Sequence, residues 1–452
     1  MIFKRKMYNR LLAWKRQAAG TKALLIEGAR RIGKSTLVEE FAKNEYQSYL
    51  LIDFNKVSDS VISAFNNYMN DLDTFFLILS SEYGVKLYPK ESIIIFDEIQ
   101  QFPKARQAIK YLVADGRFDY IETGSLISIK ENVKDITIPS EERTQLMYPM
   151  DFEEFAWAMN EEPLITYIRQ CFDKKEPLEQ GLHAKAMLLF RQYMIVGGMP
   201  KSLSAYLENN RSFEMADMEK RDILTLYRND IMKIKSGYRS SVLSIFDQIP
   251  AFLSRSERRV VMNRIEKGAS FPKYHDTFFW LSDSMIANEC FNCSDPNVGL
   301  SLNEDRTYVK CYMGDTGLLI SHTFDENEIS DGELYREILL GKLSVNEGMF
   351  YENVIAQMLV AAGHKLYFYT RYNEEKHRND MEIDFILSNH SKLKYKIFPI
   401  EVKSNDKYTI RSLIRFNESF HQRIGECYVI HPKNLCVKEG IVYLPAYMTF
   451  CL

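Results

Sequence analysis

The sequence lacks long apolar runs and is poor in cysteine. No run approaches the roughly 18–20 apolar residues that a membrane-spanning helix requires, and the N-terminus has neither the apolar core nor the cleavage site of a secretory signal. The seven cysteines are scattered, and the close pair Cys290 and Cys293 has no second pair or histidines at zinc-binding spacing. These features exclude a disulfide scaffold and disfavour a zinc site. We expect no membrane partner, reduced thiols and a cytoplasmic location.

An excess of one charge sign is also missing. The 452 residues contain 58 Lys and Arg against 61 Asp and Glu, a formal net charge of −3. Any contact with nucleic acid must therefore come from a local patch. Residues 1–20 form one such patch, with six basic residues and no acidic one. Leu11, Leu12 and Trp14 predict an amphipathic helix there that packs on the first domain, and a contact with nucleic acid or a membrane surface is the alternative.

Short apolar runs alternate with helical patterns in the first 155 residues. The runs are Ala23–Glu27, Tyr49–Phe54, Ser92–Asp97 and Phe118–Thr123. Such runs are typical of strands buried on both faces of a parallel sheet, so we predict a layered α/β domain. Residues 156–250 are predicted to be mostly helical. Residues 335–452 are predicted to begin with the helix Glu347–Ala361 and to continue as strands.

The most specific motif is a glycine-rich loop between the first strand and a helical pattern. It has the sequence Gly-Ala-Arg-Arg-Ile-Gly-Lys-Ser, which matches G-x-x-x-x-G-K-[ST]. Glycines let main-chain N–H groups surround phosphates, and the following helix adds the positive end of its dipole. Lys34 can reach the β- and γ-phosphates, and the Ser35 hydroxyl can ligate Mg²⁺. The predicted nucleotide-binding residues are Gly28, Ala29, Arg30, Arg31, Ile32, Gly33, Lys34, Ser35 and Thr36.

Two acidic residues follow the third apolar run. Asp97 can enter the Mg²⁺ shell, where the cation favours its ionised form, and Glu98 can polarise an attacking water. This pair favours nucleotide hydrolysis over phosphorylation of a small molecule. A GTPase would carry Asn-Lys-x-Asp on a late strand, whereas residues 55–58 are Asn-Lys-Val-Ser. We therefore predict ATP as the nucleotide.

Two hydroxyl residues lie at the end of the fourth apolar run. Thr123 and Ser125 flank Gly124. A hydroxyl at this place can lie between the ends of the first and third strands, where it would sense the γ-phosphate or hold the attacking water. We name Ser125 as a catalytic candidate and keep Thr123 as the other choice. The alternative is that these hydroxyls cap the following helix.

Several segments together resemble the prokaryotic AAA-type ATPases. They are the phosphate loop, Ile-Phe-Asp-Glu-Ile-Gln at 95–100, Thr-Gly-Ser-Leu at 123–126 and Tyr-Pro-Met-Asp-Phe-Glu-Glu-Phe at 148–155. Gly197–Pro200 and Lys310–Leu318 resemble later signatures of the group in which a DUF4143 region follows the AAA domain. The resemblance therefore extends over nearly the whole chain.

The resemblance implies four segments with different folds. They are a P-loop ATPase domain with an additional strand (1–157), a helical segment (158–250), a winged-helix-like module (251–334) and a restriction-endonuclease-like domain (335–452). It also implies the phosphate and Mg²⁺ roles of Lys34 and Ser35, the metal and water roles of Asp97 and Glu98, and a sensor hydroxyl.

The resemblance leaves the arginine finger open. Such an arginine stabilises the charge on the transferring phosphoryl group. The family usually has Gly-Arg before the Tyr-Pro segment, and this chain has Glu142-Arg143. Arg143, Arg117 and Arg228 are candidates, none of them is secure, and an ordinary surface arginine is the favoured interpretation of each.

Acidic residues and a lysine alternate with apolar residues near the C-terminus. If the strands that carry them pair, Asp384, Glu401 and Lys403 converge on one sheet face, and Glu352 on the preceding helix can join them. This is the Asp…Glu-x-Lys arrangement of metal-dependent nucleases, in which carboxylates hold Mg²⁺ and the lysine orients water or phosphate. The predicted metal ligands are Asp384 and Glu401, and all three residues are catalytic candidates. Ordinary solvent-facing ion pairs are the alternative.

A basic stretch precedes this domain. Residues 254–283 predict a helix–turn–helix with Tyr274, Phe278 and Trp280 nearby, which suits contact with DNA or RNA. A solvated helical face is the alternative.

Two functions remain open. The first is an ATP-hydrolysing protein that acts on or with DNA or RNA through a nuclease-like C-terminal domain, with a homo-oligomer as a further candidate. The second is an ATP-dependent signalling or interaction switch whose C-terminal domain is a non-catalytic scaffold.

Overall fold

The protein divides into two compact units. Unit 1 consists of Met1–Tyr148 and Asp283–Met285, and unit 2 of Pro149–Ser282 and Ile286–Leu452. The computed structural model describes residues 1–125, 137–234, 239–255, 258–260, 271–325, 332–341, 347–373, 378–388, 395–405 and 407–452.

Unit 1 is built on a parallel sheet. Its described strands are β1 (Ala23–Glu27), β2 (Ser48–Asp53), β3 (Ser92–Asp97), β4 (Asp119–Gly124) and β5 (Glu142–Leu146). They lie in the order β2-β3-β4-β1-β5, and every pairing is parallel. Strand β4 therefore separates β1 from β3, which agrees with the additional strand that the resemblance implied. The parallel α/β domain predicted from the apolar runs is confirmed.

Helices cover the sheet of unit 1. Within the described residues they are α1 (Lys6–Gln17), α2 (Lys34–Glu45), α3 (Asp59–Asn67), α4 (Leu72–Tyr83) and α5 (Pro103–Asp115). Met7, Leu11 and Trp14 form the buried stripe of α1, because residues four and seven apart share one helix face. The predicted amphipathic N-terminal helix is thus present, with its apolar side packed inside the protein.

Strand β5 was not expected from the apolar pattern. Three of the five residues in its sequence, Glu-Arg-Thr-Gln-Leu, are exposed. It lies at the edge of the sheet beside β1, where Leu24 pairs with Arg143. An edge strand with solvated side chains carries no apolar periodicity, so such a strand has no strong sequence signal.

Unit 2 contains helices and two mixed sheets. Its described helices are α6 (Phe152–Ala158), α7 (Glu162–Lys174), α8 (Gln180–Val196), α9 (Pro200–Glu208), α10 (Phe213–Met232), α11 (Arg239–Leu253), α12 (Phe271–Asp283), α13 (Thr316–Thr323), α14 (Glu333–Leu340), α15 (Glu347–Ala361) and α16 (Arg411–Phe420). Residues 156–250 are thus mostly helical, as predicted. The predicted helix–turn–helix at 254–283 lies partly outside the described residues.

The strands of unit 2 form sheets of four and five strands within the described residues. They are β6 (Ala287–Cys293), β7 (Glu304–Met313), β8 (Leu366–Asn373), β9 (Arg378–Ile383), β10 (Phe385–Leu387), β11 (Phe398–Val402), β12 (Cys427–His431), β13 (Cys436–Lys438) and β14 (Ile441–Pro445). The orders are β7-β6-β8-β9 and β10-β11-β12-β14-β13. The first sheet therefore joins strands from both sides of residue 335.

In the parts of the chain that the structure describes, no helix is both long and apolar enough to cross a membrane. All seven cysteines are free thiols.

Candidate functional site

The phosphate loop follows β1 and ends at the start of α2. Gly33 has a φ of +89°, a conformation that costs glycine little. Gly28 has no room for a side chain, because a Cβ there would lie 2.3 Å from the carbonyl oxygen of Met147. Arg31 also has a positive φ, +67°, and its side chain is exposed. The loop is therefore shaped by close backbone packing at one end and a left-handed turn at the other.

The lysine of the motif is buried and bonded to its own loop. Lys34 Nζ donates to the carbonyl oxygens of Gly28 (2.9 Å) and Ala29 (2.8 Å). Burial lowers the pKa of Lys34 to about 8, although Glu98 and Asp97 oppose the decrease. An anion that reached this ammonium would both replace the two carbonyls and favour its charged form.

Two hydroxyls converge on one carboxylate at the ends of neighbouring strands. Ser35 Oγ donates to Asp97 Oδ1 over 2.7 Å, and Thr123 Oγ1 donates to the same oxygen. Parallel register brings this about, because Asp97 ends β3 and Thr123 lies near the end of β4, the next strand in the sheet. Oxygen ligands of this kind suit Mg²⁺, so the Ser35 and Asp97 donor set fits that ion.

Glu98 comes directly after β3 in a left-handed conformation. Its φ is +55° and its ψ is +47°, which is uncommon for a non-glycine residue and turns the chain sharply at the strand end. The amide of Gln100, which is buried in the short helix Ile99–Gln101, donates to the Glu98 carboxylate. The side chain of Glu98 is therefore oriented by the last residue of the Ile-Phe-Asp-Glu-Ile-Gln segment.

The hydroxyl candidates differ in position. Thr123 contacts Asp97 and so lies between the strand ends where a sensor was expected. Ser125 is buried one residue beyond β4. The choice of Ser125 as the catalytic hydroxyl stays a prediction, and the geometry favours Thr123.

The three candidate arginines have different surroundings. Arg117 forms ion pairs with Asp115 and Asp73. Arg228, in unit 2, forms ion pairs with Asp247 and Asp325. Arg143 is exposed on the edge strand β5.

The residue before Arg143 has a structural role. Glu142, at the place of the expected glycine, accepts two hydrogen bonds from Arg106 on α5, over 2.6 and 2.9 Å. Both side chains are about 95% buried in this pair. Beside them lies Glu122, whose pKa is raised by burial and then by the neighbouring Glu142. Glu142, which stands where the family usually has glycine, therefore links β5 to α5 through its ion pair with Arg106.

A basic residue from the N-terminal patch reaches the phosphate loop. Arg5 is 7% exposed, and its guanidinium donates to the carbonyl oxygens of Ile32 (2.8 Å) and Tyr148 (2.7 Å). It therefore joins the middle of the loop to the segment after β5. Nothing in its sequence surroundings marks it, because both of its partners are backbone atoms distant in the chain.

The C-terminal candidates come together as the alternation pattern predicted. Strand β10 pairs antiparallel with β11, so that Phe385 faces Ile400. Asp384, Glu401 and Lys403 line one cavity of about 330 Å³, and Glu352 joins them from α15. The backbone N–H of Val402 donates to Asp384 Oδ2 over 2.8 Å.

Cations of the chain itself contact these carboxylates. Lys403 Nζ lies 2.6 Å from Glu401 Oε1, and Arg258 forms an ion pair with Glu352. Burial raises the pKa of Glu401 to about 7, with Asp384 adding to the increase and Lys403 opposing it. Among the described residues, no group of three or more His, Cys, Asp or Glu side chains could hold a metal ion. A metal at Asp384 and Glu401 is poorly matched by a site whose carboxylates already face ammonium and guanidinium groups.

The remaining signatures meet in a buried junction of unit 2. Asp315 caps α13 by accepting from the N–H of Leu318, and it also accepts from Gly198 N and Gln357 Nε2. The carbonyl of Gly198 in turn accepts from the N–H of Met150 over 2.7 Å. The Gly197–Pro200 and Lys310–Leu318 signatures are therefore largely structural at this junction.

The acidic signature after Tyr148 is also structural in part. Asp151 and Glu154 form a capping box, in which each side chain accepts from the backbone N–H of the other at the start of α6. Glu153 accepts two hydrogen bonds from Arg169.

Family models match three parts of the chain. An AAA domain matches residues 20–156, a domain of unknown function (DUF8612) matches residues 187–328, and a domain of unknown function (DUF4143) matches residues 347–448. The first match contains the phosphate loop, and the third contains Asp384 and Glu401.

Solved structures show a weaker similarity. Orc1 of Aeropyrum pernix, in complex with DNA, is 10% identical, with 72% of this chain and 93% of that chain covered and a TM-score of 0.27. Cdc6p from Pyrobaculum aerophilum is 9% identical, with 75% and 94% covered and a TM-score of 0.25. Scores at this level do not establish a shared fold. The comparison with curated proteins found no match.

Proposed function

We propose that this chain, an AAA-domain protein with a C-terminal DUF4143 domain as its motifs predicted, binds ATP with Mg²⁺ and hydrolyses it. The observation that carries the proposal is the convergence of Ser35 and Thr123 on Asp97 beside a buried Lys34. These groups come from the loop and from the ends of two adjacent strands. A Gly-Lys-Ser sequence that occurred by chance would not be expected to place its serine against the ends of strands β3 and β4.

Each residue has a distinct part in the proposed reaction. Lys34 exchanges its two loop carbonyls for phosphate oxygens, and loop N–H groups bind the same phosphates. Ser35 and Asp97 would hold Mg²⁺, which would neutralise charge on the phosphates. Glu98 accepts a proton from the attacking water, whose oxygen forms a bond to the γ-phosphorus. The bond between that phosphorus and the bridging oxygen breaks, and ADP leaves with the oxygen. Gln100 holds the Glu98 carboxylate in place.

Steady-state ATP turnover tests the proposal. Lys34→Ala should reduce turnover to the background of the assay, because it removes the charge that binds the phosphates. Lys43→Ala is the matched control, since Lys43 lies on the same helix in an exposed pair with Glu39 and should leave turnover unchanged. Equal turnover in wild type and Lys34→Ala would refute ATP hydrolysis at this loop.

The wider role concerns DNA or RNA. The observation that favours a nucleic-acid partner is the basic N-terminal segment, in which Lys4, Arg10 and Arg16 are exposed. Binding to DNA that weakens steeply with salt would support that role. Absence of binding at low salt would favour the interaction switch.

Assembly with a second copy is a further part of the proposal. Arg143 is exposed on an edge strand, where it is available to the nucleotide of another copy. Light scattering with and without ATP would measure that assembly, and Arg143→Ala should lower turnover only if copies associate.

A further inference from the structure

A buried lysine lies among the carboxylates of the C-terminal cavity. Lys310, on β7, is 1% exposed. Its Nζ lies 3.2 Å from Glu382 Oε1, 3.4 Å from Glu352 Oε1 and 3.9 Å from Asp384 Oδ1. One ammonium group therefore faces three of the four acidic side chains that line the cavity.

Basic side chains of the protein itself balance the negative charge of these acidic side chains. Glu352 contacts Lys310, the guanidinium of Arg258 and the hydroxyl of Tyr312. Glu401 contacts Lys403. Among the residues that line the cavity, four are basic and four are acidic, so the site has no formal excess of negative charge.

A divalent cation at Asp384 would face this lysine directly. Repulsion between like charges a few ångströms apart is strong where water is excluded, and Lys310 is 1% exposed. Glu401 Oε2 is a buried carboxylate oxygen without a hydrogen-bond partner in the described part of the chain. It belongs to the carboxylate whose other oxygen contacts the ammonium of Lys403, so a cation of the chain already balances its charge.

We propose that Lys310 is an internal cation that takes the place of a divalent metal in the C-terminal cavity, so that this domain binds no metal there and does not cleave phosphodiesters. The cavity is then an ion-paired structural and binding site. This inference does not depend on ATP hydrolysis, because it concerns residues of unit 2 alone.

Binding of Mn²⁺ to the nucleotide-free full chain tests the inference, with free Mn²⁺ measured by electron paramagnetic resonance. Wild type and Asp384→Asn should bind the same amount. Lys310→Met should bind one Mn²⁺ more per chain, with affinity at that site raised by roughly tenfold or more. The double variant Lys310→Met/Asp384→Asn should lose the added site.

Lys365→Met is the matched control. Lys365 is an exposed lysine of unit 2 that pairs with Glu304, so its removal deletes the same charge away from the cavity and should add no Mn²⁺ site. A wild-type Mn²⁺ site that disappears in Asp384→Asn would overturn the inference, as would Lys310→Met without any added site. If Lys310→Met does not fold, the comparison of Mn²⁺ binding between wild type and Asp384→Asn tests the inference by itself. Mg²⁺-dependent DNA nicking by wild type that Asp384→Asn abolishes would overturn the inference too.

Discussion

The ammonium group of Lys34 is buried. Its positive charge is stabilised by two carbonyl oxygens of the loop and by the nearby carboxylates of Asp97 and Glu98. Its pKa is lowered to about 8, first by burial, so the ammonium loses its proton above that pH in the free protein. Phosphate oxygens favour the charged form. ATP binding should therefore take up roughly one proton at pH 9 and none through Lys34 at pH 7.

Calorimetry in two buffers of different ionisation enthalpy measures this uptake. Lys34→Arg is the control, because arginine stays charged at both pH values and should show no extra uptake at pH 9. Equal uptake by wild type and Lys34→Arg at pH 9 would contradict the assignment.

Arg5 supports the loop from the N-terminal side. Arg5→Met removes both donors and leaves the carbonyls of Ile32 and Tyr148 without them. We expect a roughly tenfold weaker ATP affinity, since a hydrogen bond from a charged group is worth about 1.5–3 kcal/mol. Fluorescent-nucleotide titration checks this.

The control for Arg5 is Arg16→Met. Arg16 is exposed at the end of α1 and donates to a carbonyl of its own helix. ATP affinity should be unchanged in this variant. If both variants bind ATP like wild type, Arg5 does not position the loop.

Sequence predicted some residues well and others not at all. Lys34, Ser35 and Asp97 belong to short motifs whose spacing carries the chemistry, so their convergence could be foreseen. Arg5 and Lys310 act on partners far along the chain, and only the pairing of strands and helices brings those partners near. Lys310 lay inside a recognised signature, but the signature did not indicate which side chains it would meet.

At the scale of elements, Gly198 has no room for a side chain. A Cβ there would lie 2.1 Å from the carbonyl oxygen of Met150 and 2.8 Å from its nitrogen, both of which are backbone atoms. Gly198→Ala must therefore displace the chain before α6 and weaken the hydrogen bond that the N–H of Gly198 donates to Asp315. We expect a loss of about 2–3 kcal/mol in the free energy of unfolding, measured by chemical denaturation.

Gly181→Ala is the matched control for that change. Gly181 lies in the first turn of α8, and a Cβ there would meet only the side chain of Glu179. This variant should be as stable as wild type or slightly more so, because alanine favours helix. A loss in Gly198→Ala no larger than in the control would contradict the packing argument.

Element boundaries followed from sequence where burial was complete. Strands β1 and β3 and helix α15 have the predicted bounds, since continuous apolar runs and a long helical pattern followed by Gly363 give clear signals. Strand β5 was not predicted, because a polar edge strand has no apolar pattern that would signal it. Asp384 lies between strands β9 and β10, and its side chain lines the cavity.

At the scale of the whole molecule, the two units differ in how their charged groups are used. In unit 1, a carboxylate at a strand end contacts hydroxyls and has the surroundings that suit Mg²⁺. In unit 2, carboxylates near strand ends contact lysines, and a carboxylate on helix α15 contacts an arginine. The same residue types therefore form the proposed reaction centre in one unit and an ion-paired cavity in the other.

The net charge of −3 conceals this difference. It averages a basic N-terminal segment, an acidic centre beside the phosphate loop and a balanced C-terminal cavity. Composition alone does not distinguish these three regions. Charges interact over short distances in salt solution, and the fold determines which charges lie near each other.

Single-turnover hydrolysis by Glu98→Gln tests the central claim most directly. The variant should bind ATP with nearly wild-type affinity, because Lys34, Ser35 and Asp97 are intact. Release of phosphate should fall by roughly 100-fold or more, since glutamine cannot accept a proton from water. Release of phosphate at the wild-type rate would contradict the assignment of Glu98 and with it the proposed reaction at this site.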